Sequence, residues 1–412
     1  MVESIYRKGS RAQSIDVMTI IADAHTLNQL CEEITASGRF ALDLEFIPER
    51  TYAPVLCLIQ VATDSGVHLV DPLAEIDLNP LWQKLTEPNL RAVLHAASQD
   101  LDLIYKLAGI VPVNVFDTQL AAGFAGLGYQ VGYARLVNQL LGVTVAKTES
   151  FTDWLTRPLT EAQIAYATDD VRHLLPLFDK ISERLNSMGR FSWAEEECKK
   201  YHDPEFYHKE KEIEFFKVKG ASGLDRRSLA VLKQLFEWRD KTAARLDRPQ
   251  RSLISDSILV ELSRKPPTRM EDLQRMRGLR PDQLRGFGNG ILQAASRALA
   301  IPHEEWPTWP SARVPPKREV LIGDLLFAVM KVIAYEENLA TELISTRDDL
   351  QTLVKAHREK KLDQKQIPLL QGWRYELAGE KMLALLEGSD LIISINGSED
   401  APVDLRFEKR SS

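Results

Sequence analysis

Residues 39–46 read RFALDLEF, a β-rich run in which two acids stand two positions apart. Alternate residues of a strand face the same side. Leu42, Leu44 and Phe46 therefore share one face, and Ala41, Asp43 and Glu45 the other. Two carboxylates on one face of an otherwise apolar strand are costly to bury alone. Either a cation or a basic side chain meets them, or the strand is an edge strand with that face in water. Any fold of this chain has to provide one of these arrangements.

The pattern around the strand points to an α/β layered domain. Residues 17–22 (VMTIIA) read as a short strand, and 25–37 as an amphipathic helix stopped by Gly38. Residues 56–62 and 67–72 read as a hairpin turned through Thr63-Asp64-Ser65-Gly66, and RAVLHAA (91–97) as a further strand. A helix over 98–108 ends at Gly109. A long helix over 161–185 starts at a capping box formed by Thr160 and Gln163. Strands first, then strand–helix alternation, predict a mixed sheet with helices packed on it. The rest reads as helical. A charged connector (191–221) precedes a four- or five-helix bundle (222–301), with breaks expected at 247–249, 266–267 and 286–288. A Pro/Trp-rich linker (302–317) leads to a second helical block (318–388) and a weakly patterned tail (389–412). Residues 1–16 form a polar N-terminal extension, and the sheet domain spans 17–190.

Composition narrows the classes. The 412 residues are 44% hydrophobic and 27% charged, with no apolar run of the ~18–20 residues that a membrane span needs. The first residues lack an apolar signal core. Cys31, Cys57 and Cys198 are scattered, without metal-ligand spacing. The expectation is a reduced, cytoplasmic protein with no membrane partner, and a monomer. The net charge of −7 conceals an asymmetry. Residues 1–200 carry 17 basic and 26 acidic side chains, a net −9, whereas 225–300 carry 16 and 9, a net +7. The basic block is a candidate for phosphate contacts, or else a set of solvated helix faces.

Further acids occur at suggestive positions. Tyr166 and Asp170 stand four apart in the predicted helix, so their side chains lie one above the other. Asp169 points about 100° away, as the helical repeat requires. Asp100 falls in the first turn after strand 91–97, where the helix dipole alone favours an acid, with Ser98 as the expected cap and Asp102 as a second neighbouring acid. A solvated helix face explains Tyr166 and Asp170 equally well at this point, and helix capping explains Asp100.

Taken in order, DLEF (43–46), HAASQD (95–100) and YATDD (166–170) resemble the three exonuclease motifs of the DEDD superfamily, in its tyrosine-bearing branch. YAPVLCLIQVAT (52–63), DTQLAA (117–122), the run 147–171 and LLPLFD (174–179) are similar to blocks of the ribonuclease D family. This resemblance covers nearly all of 17–185. Residues 222–301 resemble the HRDC domain of that family and of RecQ-type helicases. Residues 318–388, with QGWRYELAGEKMLALLEG (371–388), look like a second such domain on fewer distinctive positions.

The resemblance implies a ribonuclease H-like exonuclease domain followed by two all-α HRDC-like bundles. It also implies a 3′→5′ exoribonuclease that releases nucleoside 5′-monophosphates, with RNA as partner: tRNA precursors and single-stranded 3′ ends. The chemistry uses two divalent cations, Mg²⁺ or Mn²⁺, roughly 3.5–4 Å apart, and carboxylate oxygens suit both. By resemblance Asp43 bridges the two, Glu45 and Asp170 complete the site near the attacking water, and Asp100 holds the second cation. Tyr166 orients the water, since a phenol with a pKa near 10 is a poor base at neutral pH. Leu44, Phe46 and Gln60 could pack on the terminal nucleotide, with core packing the competing role. Lys147, ahead of Ser150 and Trp154, could take a backbone phosphate or be an ordinary surface lysine. His95 is expected to pack at the strand end and Asp117 to cap the helix after it. The family often has Thr where Leu44 stands, which could alter contact with the 3′ end. Two other readings stay open: a DNA-directed 3′→5′ exonuclease, because the acids cannot report on a 2′-hydroxyl, and an inert nuclease fold that only binds nucleic acid.

Overall fold

A computed structural model describes residues 20–48, 50–145, 152–208, 214–309, 316–396 and 402–408. The chain divides into two compact units. The first comprises the described residues up to Phe46, with Leu56–Thr118 and Gly132–Glu183; the second comprises Ile47–Val55, Gln119–Val131 and the described residues from Arg184 onward.

The first unit is built on a six-stranded sheet. The elements over this part of the chain run β1 (Ile20–Ile21), α1 (Ala24–Ser37), β2 (Arg39–Ile47), β3 (Val55–Ala62), β4 (Val67–Val70), α2 (Asn79–Lys84), β5 (Arg91–Leu94), α3 (Ser98–Ala108), β6 (Val115–Asp117), α4 (Thr118–Phe124), which belongs to the second unit from Gln119 onward, α5 (Tyr133–Leu141), α6 (Glu161–Arg172) and α7 (Leu174–Ser187). The strand order is β1-β4-β3-β2-β5-β6. β3 and β4 are antiparallel, while β1–β4, β2–β5 and β5–β6 are parallel, so the sheet is mixed as expected. Ala41 pairs with Val93, and both pack with Ala62 against Val171, Leu174 and Leu175. One face of the sheet is thereby covered by α6 and α7. Asp43 and Glu45 follow Ala41 at alternate positions and emerge on that covered face.

The helix expected over 161–185 is two helices. α6 keeps its capping box, with Gln163 N donating to Thr160 Oγ1 at 3.2 Å and Thr160 N to Gln163 Oε1 at 2.9 Å. It ends at Arg172, and α7 restarts at Leu174. Pro176 explains the break. It has no N–H and would collide with the carbonyl four residues back, but it is tolerated in a first turn. Of the strand expected at 17–22, Ile20–Ile21 is observed, and 17–19 lie outside the described residues.

A half-buried cation ties the segment before α6 to the sheet. Arg157 donates to both carboxylate oxygens of Asp71, at 2.7 and 2.8 Å, and to the carbonyls of Cys57 and Trp154, at 2.7 and 2.8 Å. Arg157→Ala leaves these acceptors unpaired. It should lower stability by about 2–3 kcal/mol, read from the denaturation midpoint in urea.

The second unit is mainly helical: α8 (Phe191–Cys198), α9 (Pro204–His208), α10 (Arg226–Leu246), α11 (Gln250–Leu253), α12 (Asp256–Arg264), α13 (Met270–Gln274), α14 (Pro281–Leu299), α15 (Lys317–Glu336), α16 (Thr341–Ile344), α17 (Arg347–Arg358), α18 (Gly372–Arg374) and α19 (Glu380–Leu386). A π turn, Tyr375–Gly379, joins the last two. α10 to α14 close over a core that includes Leu229, Leu232, Leu259, Leu262 and Ile291, so of the four or five helices expected at 222–301 five are observed.

Three expectations for this unit need correction. The connector at 191–221 contains α8, α9 and short 3₁₀ turns; its charges mark solvated faces, while Trp193 stacks on Trp373 at 5.1 Å and Tyr201 is buried. Residues 286–288 are not a break, because α14 runs through them. Gly288 and Gly290 are there for close packing. A Cβ at 288 would stand 3.0 Å from Met270 Sδ, and one at 290 would strike the Trp238 indole. The tail holds an antiparallel hairpin, β7 (Asp390–Ile395) and β8 (Val403–Glu408). β7 is mostly exposed, so no apolar alternation announced it.

Candidate active site

Three distant segments of the first unit bring the expected acids together. β2 supplies Asp43 and Glu45, the first turn of α3 supplies Asp100, and α6 supplies Asp170 with Tyr166 one turn before it. One carboxylate oxygen each from Asp43, Glu45 and Asp170 lies within 4.8 Å of the other two. Asp100 is buried, and its charge acts on both Asp43 and Glu45.

The electrostatics are those of acids without a basic partner. Burial is the largest influence on each, and neighbouring carboxylates add to it. Asp43 is held well above the ordinary carboxylate range by burial and by Asp100, Asp170 and Glu45. Burial with Asp170 and Asp100 pushes Glu45 up to about 8. Burial and Asp117 raise Asp100 to about 7, and burial and Asp169 raise Asp170 to about 7. Among the described residues, no Lys or Arg is among the influences on any of the four. Oxygen ligands converging at this spacing, desolvated and mutually repelling, fit hard divalent cations.

The neighbouring acids are otherwise engaged. Asp169 pairs with Arg172 at 3.2 Å on the surface of α6, and its carbonyl accepts from the Tyr133 hydroxyl at 2.7 Å. Asp102 pairs with Lys106 at 2.5 Å. Helical phase thus separates Asp170 and Asp100 from their look-alikes.

The start of α3 differs from expectation. Ala97, not Ser98, occupies the cap position and makes no side-chain cap bond. The capping oxygens come from Asp117, which accepts from Ala96 N at 3.0 Å and Ala97 N at 3.1 Å. Asp117 therefore closes the start of α3. It fixes the turn that carries Asp100 and raises the pKa of that acid, a positioning role that sequence reading missed. The two residues meet through β5–β6 pairing, which no local pattern reveals. His95 packs as expected, with Nδ1 3.0 Å from Thr118 Oγ1 and its ring edge-on to Tyr133 at 5.7 Å.

The expected substrate contacts fare unevenly. Phe46 is half-buried and keeps part of its ring accessible. Leu44 is 5% exposed on the opposite face of β2 from the acids, a core residue by side chain. Gln60 is 0% exposed, and its amide meets no partner among the described residues; it is enclosed in the sheet, so the side chain offers no surface to a nucleotide. Lys147 and Ser150 lie outside the described residues. Trp154 is buried and packs 6.1 Å from the Tyr166 ring.

Comparison with known proteins agrees with this geometry. The sequence pattern of the 3′-5′ exonuclease family matches residues 18–186, and that of the HRDC domain matches 228–295. Ribonuclease D of Gluconacetobacter diazotrophicus is 36% identical over 385 residues, which cover 92% of this chain and 95% of the relative. The chain belongs to the ribonuclease D family. Ribonuclease D of Sphingobium indicum is also 36% identical, over 91% of this chain and 96% of its own. Among solved structures, Escherichia coli RNase D, an exoribonuclease involved in structured RNA processing, superposes with a TM-score of 0.78 at 30% identity, covering 90% of this chain and 98% of that one. The ribonuclease D family has the ribonuclease H-like exonuclease fold with an HRDC domain, and both parts of that architecture are present here.

Proposed function

We propose that this chain is a 3′→5′ exoribonuclease that removes nucleoside 5′-monophosphates from RNA, with tRNA precursors as substrates. The observation that carries the reading is the convergence of Asp43, Glu45 and Asp170, with buried Asp100, inside the segment that matches the 3′-5′ exonuclease family. In this reading Asp43, Glu45, Asp100 and Asp170 would hold two divalent cations, Mg²⁺ or Mn²⁺. Such cations supply the positive charge that stabilises the attacking and leaving oxygens of a phosphodiester. The remaining work belongs to the chain. Tyr166, half-buried on the same face of α6 as Asp170, orients the attacking water through its hydroxyl. The Trp154 ring restricts where that hydroxyl can point. Asp117 holds the turn carrying Asp100. The helices α15 to α19 serve as a second HRDC-like bundle, a reading that rests on their helical content after the linker.

The test is digestion of a tRNA precursor carrying a 3′ trailer. Wild-type protein with Mn²⁺ should shorten the trailer, and chelation or Asp170→Asn should stop it. Shortening unchanged by both would refute the assignment. Tyr166→Phe should lower kcat about a hundredfold, the scale of one positioned proton-handling group. KM and cation affinity should stay unchanged in steady-state kinetics and calorimetry.

A further inference from the structure

The second unit contains a cleft of about 690 Å³ that none of the site residues lines. Its volume suits a small molecule or one unit of a polymer. One wall is made by Pro48, Thr51 and Tyr52, and the others come from α10, the turn at Pro249 and Glu214, Lys217 and Val218. Tyr52 is pinned there. Its hydroxyl donates to Asp240 Oδ1 at 2.7 Å and its backbone N–H to Asp247 Oδ1 at 3.2 Å. Gln250 Nε2 donates to the same Asp240 oxygen at 2.6 Å.

The lining carries three basic side chains, Arg239, Arg251 and Lys217, against two acidic ones, Asp256 and Glu214. Arg239, only 2% exposed, donates to Asp256 Oδ1 at 2.8 Å and to the Ile254 carbonyl at 3.1 Å, with its guanidinium 5.5 Å from the Phe236 ring. Arg251 reaches the other oxygen of Asp256 at 3.2 Å, yet its side chain is 78% exposed. One carboxylate thus serves two guanidinium groups and leaves one positive charge over. Two buried polar groups of the wall, Arg239 Nε and Ser252 Oγ, meet no partner among the described residues. Lys217 lines the same cleft, as do the rings of Tyr52 and Phe236.

We propose that this cleft binds one nucleotide unit of the RNA strand. The backbone phosphate sits at Arg251 and Lys217, and the base lies against Tyr52 and Phe236. Basic groups beside aromatic rings are the chemistry that holds single-stranded nucleic acid without reading its sequence. Arg251 can release its surface pair with Asp256 for a phosphate, because Arg239 still satisfies that carboxylate. The proposal rests on RNA being the substrate and says which face of the +7 helical block engages it. It makes the cleft an affinity site, separate from the hydrolytic one.

The test uses the full chain in chelator, so that binding is read without hydrolysis. The affinity for a long single-stranded RNA and for a dinucleotide is measured over a range of salt. The variants are Arg251→Ala, Lys217→Ala and the pair together; both residues lie on the cleft wall and outside the bundle core. The double variant should bind the long RNA about tenfold more weakly, with the salt slope reduced by ~0.7 for the lost single-strand phosphate contact. Dinucleotide binding should not change, and Arg251→Lys should recover part of the loss. An unchanged affinity and slope would overturn the proposal, and so would an equal loss on the dinucleotide. Hydrolysis with Mn²⁺ is scored separately. If wild type binds RNA through the cleft but never shortens it, the exonuclease assignment fails and the cleft stands.

Discussion

Asp43→Asn is expected to cut kcat to about a thousandth of wild type while raising the melting temperature of the cation-free protein. The two effects have one origin. Asp43 is the acid on which Asp100, Asp170 and Glu45 all act, and burial adds to their repulsion. An amide of the same shape removes one of four crowded charges, so the empty site is relieved and the fold gains. The same amide is a poor ligand for a hard cation. Loss of one preorganised electrostatic element of a reacting centre is worth a factor of ~10²–10³, and Asp43, on which the other three acids all act, belongs at the upper end. Steady-state hydrolysis of single-stranded RNA and a thermal melt in chelator check both halves. A loss of activity accompanied by a lower melting temperature would mean that Asp43 is instead a structural acid with an unseen partner.

Raising the pH should destabilise the cation-free chain, and a divalent cation should reverse the trend. Glu45 titrates at about 8, and Asp100 and Asp170 at about 7. All three are raised above the unfolded values of ~4. The folded state therefore holds more protons than the unfolded state between pH ~4 and 8. The stability this provides is full below the unfolded values and is lost as pH rises through 7 to 8. A bound cation supplies the missing positive charge and displaces those protons, so its affinity should rise over the same interval. Melting curves from pH 5 to 8.5, with chelator and with Mn²⁺, should diverge as pH increases. Parallel curves would contradict the assignment of these acids to one site.

Much of this site was legible in the residues because it obeys local periodicity. The two-residue repeat of β2 put Asp43 and Glu45 on one face, and the near four-residue repeat of α6 aligned Tyr166 with Asp170 and turned Asp169 away. The mixed sheet followed from the same patterns, and the five-helix bundle from its turn residues. The features that were missed depend on contacts between distant segments. Asp117 reaches the start of α3 only because β5 and β6 pair. The glycines of α14 read as a break, although they accommodate Met270 and Trp238. Gln60 looked like a substrate contact until the sheet enclosed it. The division of 161–185 into α6 and α7 was available from Pro176 and went unread.

The most direct test of the four-carboxylate site is to follow a 5′-labelled single-stranded RNA with a free 3′ hydroxyl in Mn²⁺, identifying the released product. The expected result is stepwise shortening from the 3′ end with nucleoside 5′-monophosphates as the small product, abolished by chelator and by Asp43→Asn. Intact RNA, internal cleavage or products bearing a 3′-phosphate would contradict it.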